Sequence, residues 1–170
     1  MNKLLISFYF ILICSYGWAQ SDIKIDLPDG YIIDSNKNDK YVLLSASKIK
    51  GDIISASIEI KFSDDWSFTI LENEEYLSQM LNNKQIESQL SMGYDNVKVH
   101  QKKIFYLKSV GDCFLLNYSG NVYNNDVRIS SLVIQFIKNN RLYTLSGVST
   151  VEDFSSNFKD FLKSFDTLVL

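Results

Sequence analysis

The chain of 170 residues is 46% hydrophobic and 22% charged, with a formal net charge of −3 and only 7 Gly, 1 Pro, 2 Cys and 1 His. That length fits one domain able to bury a core without disulfides or metal, and the apolar content excludes intrinsic disorder and low-complexity or collagen-like chains. The lysines are scattered, with Lys102-Lys103 the only adjacent basic pair beyond the N-terminus, so no basic stripe exists to displace phosphate counterions and nucleic acid is not expected as a partner.

Residues 1–19 read as a signal peptide. Lys3 gives a basic start, Leu4 to Ile13 is an almost unbroken apolar run, and Gly17-Trp18-Ala19 supplies small residues for cleavage before Gln20. The expected product is a single domain over residues 20–170, exported to the periplasm or the extracellular space. Cys14 follows the apolar run, but Ile13 stands where a lipobox would have Gly, Ala or Ser, so a lipoprotein is not expected. No later stretch reaches the length of a membrane-spanning helix, so an integral membrane protein is not expected either. Removing residues 1–19 takes away one lysine and no acid, leaving 16 basic and 20 acidic side chains. It also leaves Cys113 as the lone thiol, read as a small buried apolar side chain rather than half of an internal disulfide. Lysine outnumbers arginine 15 to 2, a bias that points to a bacterial source of low GC content.

Along the mature chain, period-two alternation is the strongest signal. Ile54, Ala56, Ile58, Ile60 and Phe62 point one way while Ser55, Ser57, Glu59 and Lys61 point the other. Shorter alternations span Tyr41 to Ala46, Val97 to Tyr106, Val110 to Tyr118, Val127 to Ile137 and Leu142 to Ser146. Polar clusters separate them, and Asn124-Asn125 and Asn139-Asn140 suit the positive φ of tight hairpin turns, which predicts antiparallel neighbours. Val42, Leu44 and Ala46, and again Leu132, Ile134 and Phe136, are expected on the face opposite the Ile54 to Phe62 set, so that the central strands are buried on both sides.

Two segments have helical period. From Asn73 to Met92 the apolar positions are Tyr76, Leu77, Met80, Leu81, Ile86 and Leu90, with Glu74 and Glu75 in the first turn and Gly93 at the end. Near the C-terminus, Phe154, Phe158, Phe161, Leu162 and Phe165 form one stripe, and Ser149 with Glu152 is expected to make a capping box. The predicted class is α+β: an antiparallel sheet of about six strands flanked by helices.

Three short segments carry a family resemblance: Leu27-Pro28-Asp29-Gly30-Tyr31, Gly111-Asp112-Cys113-Phe114, and Arg141 to Gly147 followed by the Phe-rich helix that closes on Ser164-Phe165. With the order of elements, these resemble the PsbP-like family. That family is the α-β-α sandwich of the photosystem accessory protein PsbP, the bacterial DcrB-like periplasmic proteins and the Ran-binding Mog proteins. The resemblance implies an aromatic entry after a turn at Tyr31, a central late strand, and a Ser-Phe pair sealing the last helix onto the sheet. It implies binding and assembly modules without shared catalytic residues, so no site residue is carried over.

The residues themselves offer little catalytic chemistry. His100 shares the solvent side of its strand with Lys98 and has no second His or Cys at metal-ligand spacing. The glycines stand singly, so no phosphate loop forms. Asp34-x-Asn36-x-Asn38 begins like a calcium loop, but Asp39 replaces the turn glycine and Ser45 the bidentate Glu. Asp64-Asp65 beside Trp66 reads as a solvated turn rather than a carboxylate pair for hydrolysis. The expectation is therefore no enzyme, no metal and no cofactor, but a module of the cell envelope that binds a protein partner at any apolar sheet surface left uncovered. The alternative is a carrier of a small apolar ligand, with Tyr76, Met80, Phe154 and Phe158 lining a pocket between helices and sheet.

Overall fold

The computed structural model describes residues 23–34, 39–65, 71–122 and 127–170. The expected signal peptide, Asn36, Asn38, Trp66 and the Asn124-Asn125 turn lie outside them. Seven strands form one sheet: β1 Tyr31–Ile33, β2 Val42–Lys50, β3 Ile53–Ser63, β4 Tyr94–Leu107, β5 Gly111–Val122, β6 Arg128–Lys138 and β7 Arg141–Thr150. Their order is β1-β2-β3-β7-β6-β5-β4, and every neighbouring pair is antiparallel. Among the described residues three helices complete the fold: α1 Asn73–Asn82, α2 Ile86–Leu90 and α3 Val151–Phe165. The class is α+β as expected, with seven strands rather than six. The added strand is β1, too short at three residues to show an alternation.

Register decides what each face buries. Leu44 pairs with Ile60 and Ala46 with Ile58 across β2 and β3, and Ile58 pairs with Gly147, which pairs with Leu132. The Val42 to Ala46 and Leu132 to Phe136 sets were expected opposite the Ile54 to Phe62 set; Leu44, Ala46, Leu132, Ile134 and Phe136 instead share its face and form a single core with Ile58, Ile60 and Leu145. The reason is that adjacent antiparallel strands place directly paired residues on one side of the sheet.

Helix α3 closes that core. Its stripe of Phe154, Phe158, Phe161, Leu162 and Phe165 packs on the sheet, with Phe161 and Phe165 fully buried. Each buried phenylalanine contributes roughly 2–3 kcal/mol of transfer free energy. The helix starts without the expected capping box: Thr150 is its N-cap and no side chain caps it. Ser149 still belongs to β7, where its hydroxyl donates to the Thr150 carbonyl and accepts from Asn157 Nδ2 at 3.0 Å. At the far end the Ser164 hydroxyl donates to the Asp26 carbonyl, and Lys24 forms a β-bridge with Val169. The Ser-Phe pair thus seals the helix, through Phe165 to the sheet and through Ser164 to the N-terminal segment.

The opposite face carries a second core only under α1 and α2. Tyr76, Leu77 and Ile86 pack on Phe114, Leu116 and Tyr118 of β5, with Met80, Val133 and Leu142 at the margin. Strands β4, β5, β6 and β7 therefore contribute side chains to both cores. The helical segment predicted as one piece breaks at Asn83, whose Oδ1 accepts from the Gln85 amide at 2.8 Å, a local turn that competes with the helix ladder. Asn73 anchors the start of α1, accepting from the Ile137 amide at 2.8 Å and donating to the Asp112 carbonyl at 3.0 Å.

The sheet manages its edges differently. Strand β4 is a long edge with register shifts after Asp95 and after Val99 and with Lys98, Lys102 and Lys103 along it, the devices that discourage pairing with another chain. Lys102 Nζ also donates to the Asn83 carbonyl at 3.0 Å, beside the end of α1. Strand β1, the other edge, is only three residues long.

Candidate functional site

Two surface features stand out. The first is an apolar corner where β1, β2 and β3 meet beyond the cover of α1 and α2. Ser55 is the extra residue of a β-bulge: Lys48 pairs with Ala56 while Ile49 pairs with Ile54, and the Ser55 hydroxyl donates to the Lys48 carbonyl at 3.2 Å. A bulge shifts the alternation by one, so Ile54 leaves the core set to which simple alternation assigned it. It joins Ile49 and, diagonally across Ser47, Ile32 on the open face; their exposures are 63%, 57% and 62%. Ile33 and Ile53, paired with Ala46 and Lys50, are exposed on the other face of the sheet, the side of α3. A shallow groove of about 80 Å³ continues from Ile54 past Ser57, Val148 and Ile129. The rest of this face is hydroxyl-rich: Asp34 Oδ2 accepts from Ser45 Oγ at 2.6 Å and Ser47 Oγ at 3.2 Å, and Lys61 pairs with Glu59 at 2.9 Å.

The second feature is a cleft of about 370 Å³ between the segment preceding β1 and the last turns of α3, with Lys48 of β2 on its wall. The Pro28-Asp29-Gly30-Tyr31 turn shapes it. Tyr31 N donates to the Pro28 carbonyl at 3.3 Å, and Gly30 takes φ +83°, a conformation costly for any other residue. The turn brings Asp29 to the cleft and sends Tyr31 against the core, which is the aromatic entry the resemblance implied. Lys48 Nζ lies 5.7 Å from the Tyr31 ring centroid. The Tyr31 hydroxyl oxygen is buried and has no hydrogen-bond partner. Burial, reinforced by the nearby Asp160 carboxylate, raises its pKa above the ordinary value.

The four residues expected to line one pocket do not meet. Tyr76 and Met80 belong to the core under α1, and Phe154 and Phe158 to the core under α3, on opposite faces of the sheet. Tyr76 is fastened in place, its hydroxyl donating to Gln135 Oε1 at 2.8 Å. Phe154 and Phe158 pack edge to face with centroids 5.6 Å apart. His100 is exposed, at the bulge in β4, with Nε2 2.8 Å from Ser119 Oγ. Cys113 is buried and free, its thiol donating to the Phe105 carbonyl, and burial pushes its pKa up to about 12. Asp64 and Asp65 are exposed. Among the described residues no three His, Cys, Asp or Glu side chains are grouped to hold a metal ion, and no helix is long and apolar enough to cross a membrane.

No family model matches the chain, and no curated protein matches its sequence. Solved structures do match its fold. A Pseudomonas aeruginosa protein of unknown function superposes with a TM-score of 0.55 at 13% identity, covering 87% of this chain and 96% of that one. LpqN of Mycobacterium tuberculosis, described as involved in cell envelope biogenesis, gives 0.53 at 10% identity over 87% and 83% of the two chains. The cyanobacterial PsbP of Synechocystis sp. PCC 6803 gives 0.51 at 11% identity over 87% and 92%. The chain therefore has a PsbP-like α+β fold, a layer of helix on each face of an antiparallel sheet.

Proposed function

We propose that the protein is an exported, non-enzymatic binding module of the bacterial cell envelope that docks a protein partner on its apolar corner. The observation that carries this reading is the set of Ile32, Ile49 and Ile54 on a sheet face that neither helix layer covers. Contiguous exposed apolar surface of this kind marks interaction sites, and flanking hydroxyls and charges give it the polar rim of a docking surface. Export is supported by the leader-like residues 1–19 and agrees with the envelope role described for LpqN. The DcrB-like and PsbP-like assembly role rests on the resemblance of fold and short motifs.

The test is co-purification from envelope fractions of the native host, comparing the wild type with an Ile49→Ser, Ile54→Ser double variant. A partner of fixed stoichiometry that is retained by the wild type and lost from the variant supports the reading. A partner held equally by both removes the apolar corner from it, and a bare protein carrying an apolar small molecule would favour a carrier.

A further inference from the structure

We infer that the cleft between residues 26–29 and α3 binds a small zwitterion of the amino-acid type, its ammonium drawn to the acidic and its carboxylate to the basic side chains among Asp26, Asp29, Asp160, Lys48 and Lys163. This site is separate from the apolar corner and does not depend on it.

The volume comes first. About 370 Å³ lies at the lower end of the range of small-molecule sites and accommodates an amino acid with a few waters. The charges come second. Asp26, Asp29, Asp160, Lys48 and Lys163 line one cleft, yet none of the five forms an ion pair with another; the ion pairs of the described residues are Lys50 with Asp153 and Lys61 with Glu59. Charges of both signs around a shared space, close but unpaired, leave electrostatic demands that a ligand carrying both signs meets at once.

Other ligand classes fit less well. The carboxylates are not grouped as metal ligands, which disfavours a bare cation. A simple anion would meet three carboxylates for two lysines, and an apolar molecule would strip water from charged walls without replacing its hydrogen bonds. The Ser164 hydroxyl, donating to the Asp26 carbonyl, and Thr167 Oγ1, accepting from the Asp26 amide at 2.8 Å, hold the segment against the helix so that the cleft exists before a ligand arrives.

The experiment is saturation-transfer NMR on the purified protein with an equimolar mixture of the protein amino acids, then calorimetric titration of whichever gives signal. Acetate alone and methylammonium alone are separate arms. The expected result is saturable one-to-one binding of at least one amino acid, no comparable binding of acetate or methylammonium, and affinity weakened about tenfold by Asp160→Asn and by Lys48→Met. Circular dichroism checks each variant for folding, and the exposed Lys163→Met replaces any variant that fails. No transfer to any amino acid, equal binding of acetate or methylammonium, or unchanged affinity in folded variants would each overturn the assignment.

Discussion

Gly147 of β7 lies directly beneath the ring of Phe161 in α3: a Cβ added to the glycine would stand 2.4 Å from two ring carbons and 2.8 Å from a third. Here the glycine serves close approach, since a side chain of any size would lift the helix from the sheet. Gly147→Ala is expected to cost about 3 kcal/mol, at the upper end of ordinary overpacking, read as a lower midpoint in urea unfolding. Adding Phe161→Ala should leave the double variant more stable than the sum of the two single losses predicts. Strictly additive losses would contradict the contact.

Alkaline stability follows from the buried ionisable groups. The Cys113 thiol ionises at an ordinary 9.0 when unfolded but is pushed up to about 12 in the fold. Burial likewise raises the Tyr76 and Tyr118 phenols above their ordinary 10.0. The unfolded chain thus loses protons in a range where the folded chain keeps them, so stability is full below about pH 9 and falls as pH rises through 9 and 10. Unfolding midpoints measured from pH 7 to 11 should decline above 9, less steeply in Cys113→Ala after correction for its own cost. A flat profile to pH 11 would show that these groups ionise freely in the fold. Native Cys113 should correspondingly resist iodoacetamide at pH 8 and react once the chain is denatured.

Asn73 ties the start of α1 to two strands through a single side chain. Asn73→Ala leaves the Ile137 amide without this acceptor and should cost about 1–3 kcal/mol. Hydrogen exchange should quicken across α1 and at Ile137 while β2 and β3 keep their protection. A change spread evenly over the sheet would argue against a local anchor.

The alternation from Ala56 to Phe62 and the stripe from Phe154 to Phe165 were legible because one face of each element is apolar over its whole length, and Asn139-Asn140 announced its hairpin, with φ of 51° and 59°. Facing was less legible. The bulge at Ser55 reverses the side taken by Ile54, and nothing local distinguishes a bulge from continued alternation. Ser149 and Glu152 have capping-box spacing, but the strand runs on through Ser149 and its hydroxyl serves Asn157, which is buried at 3% exposure. The cleft was illegible for another reason. Asp26, Lys48 and Asp160 come from three distant parts of the chain, and only the turn at Pro28 to Tyr31 gave a local signal. Tyr76, Met80, Phe154 and Phe158 were rightly read as apolar and inward, but strand order assigns them to two cores.

The central claim is that the apolar corner receives a protein partner. A photo-crosslinking residue placed in turn at Ile49, at Ile54 and, as a control, at Asn139 in the opposite β6–β7 hairpin tests it in the native host. The account predicts one discrete protein adduct at Ile49 and Ile54, absent at Asn139 and lost when Ile32→Ser accompanies the probe. The same adduct from all three positions, or none at the two isoleucines, would contradict it.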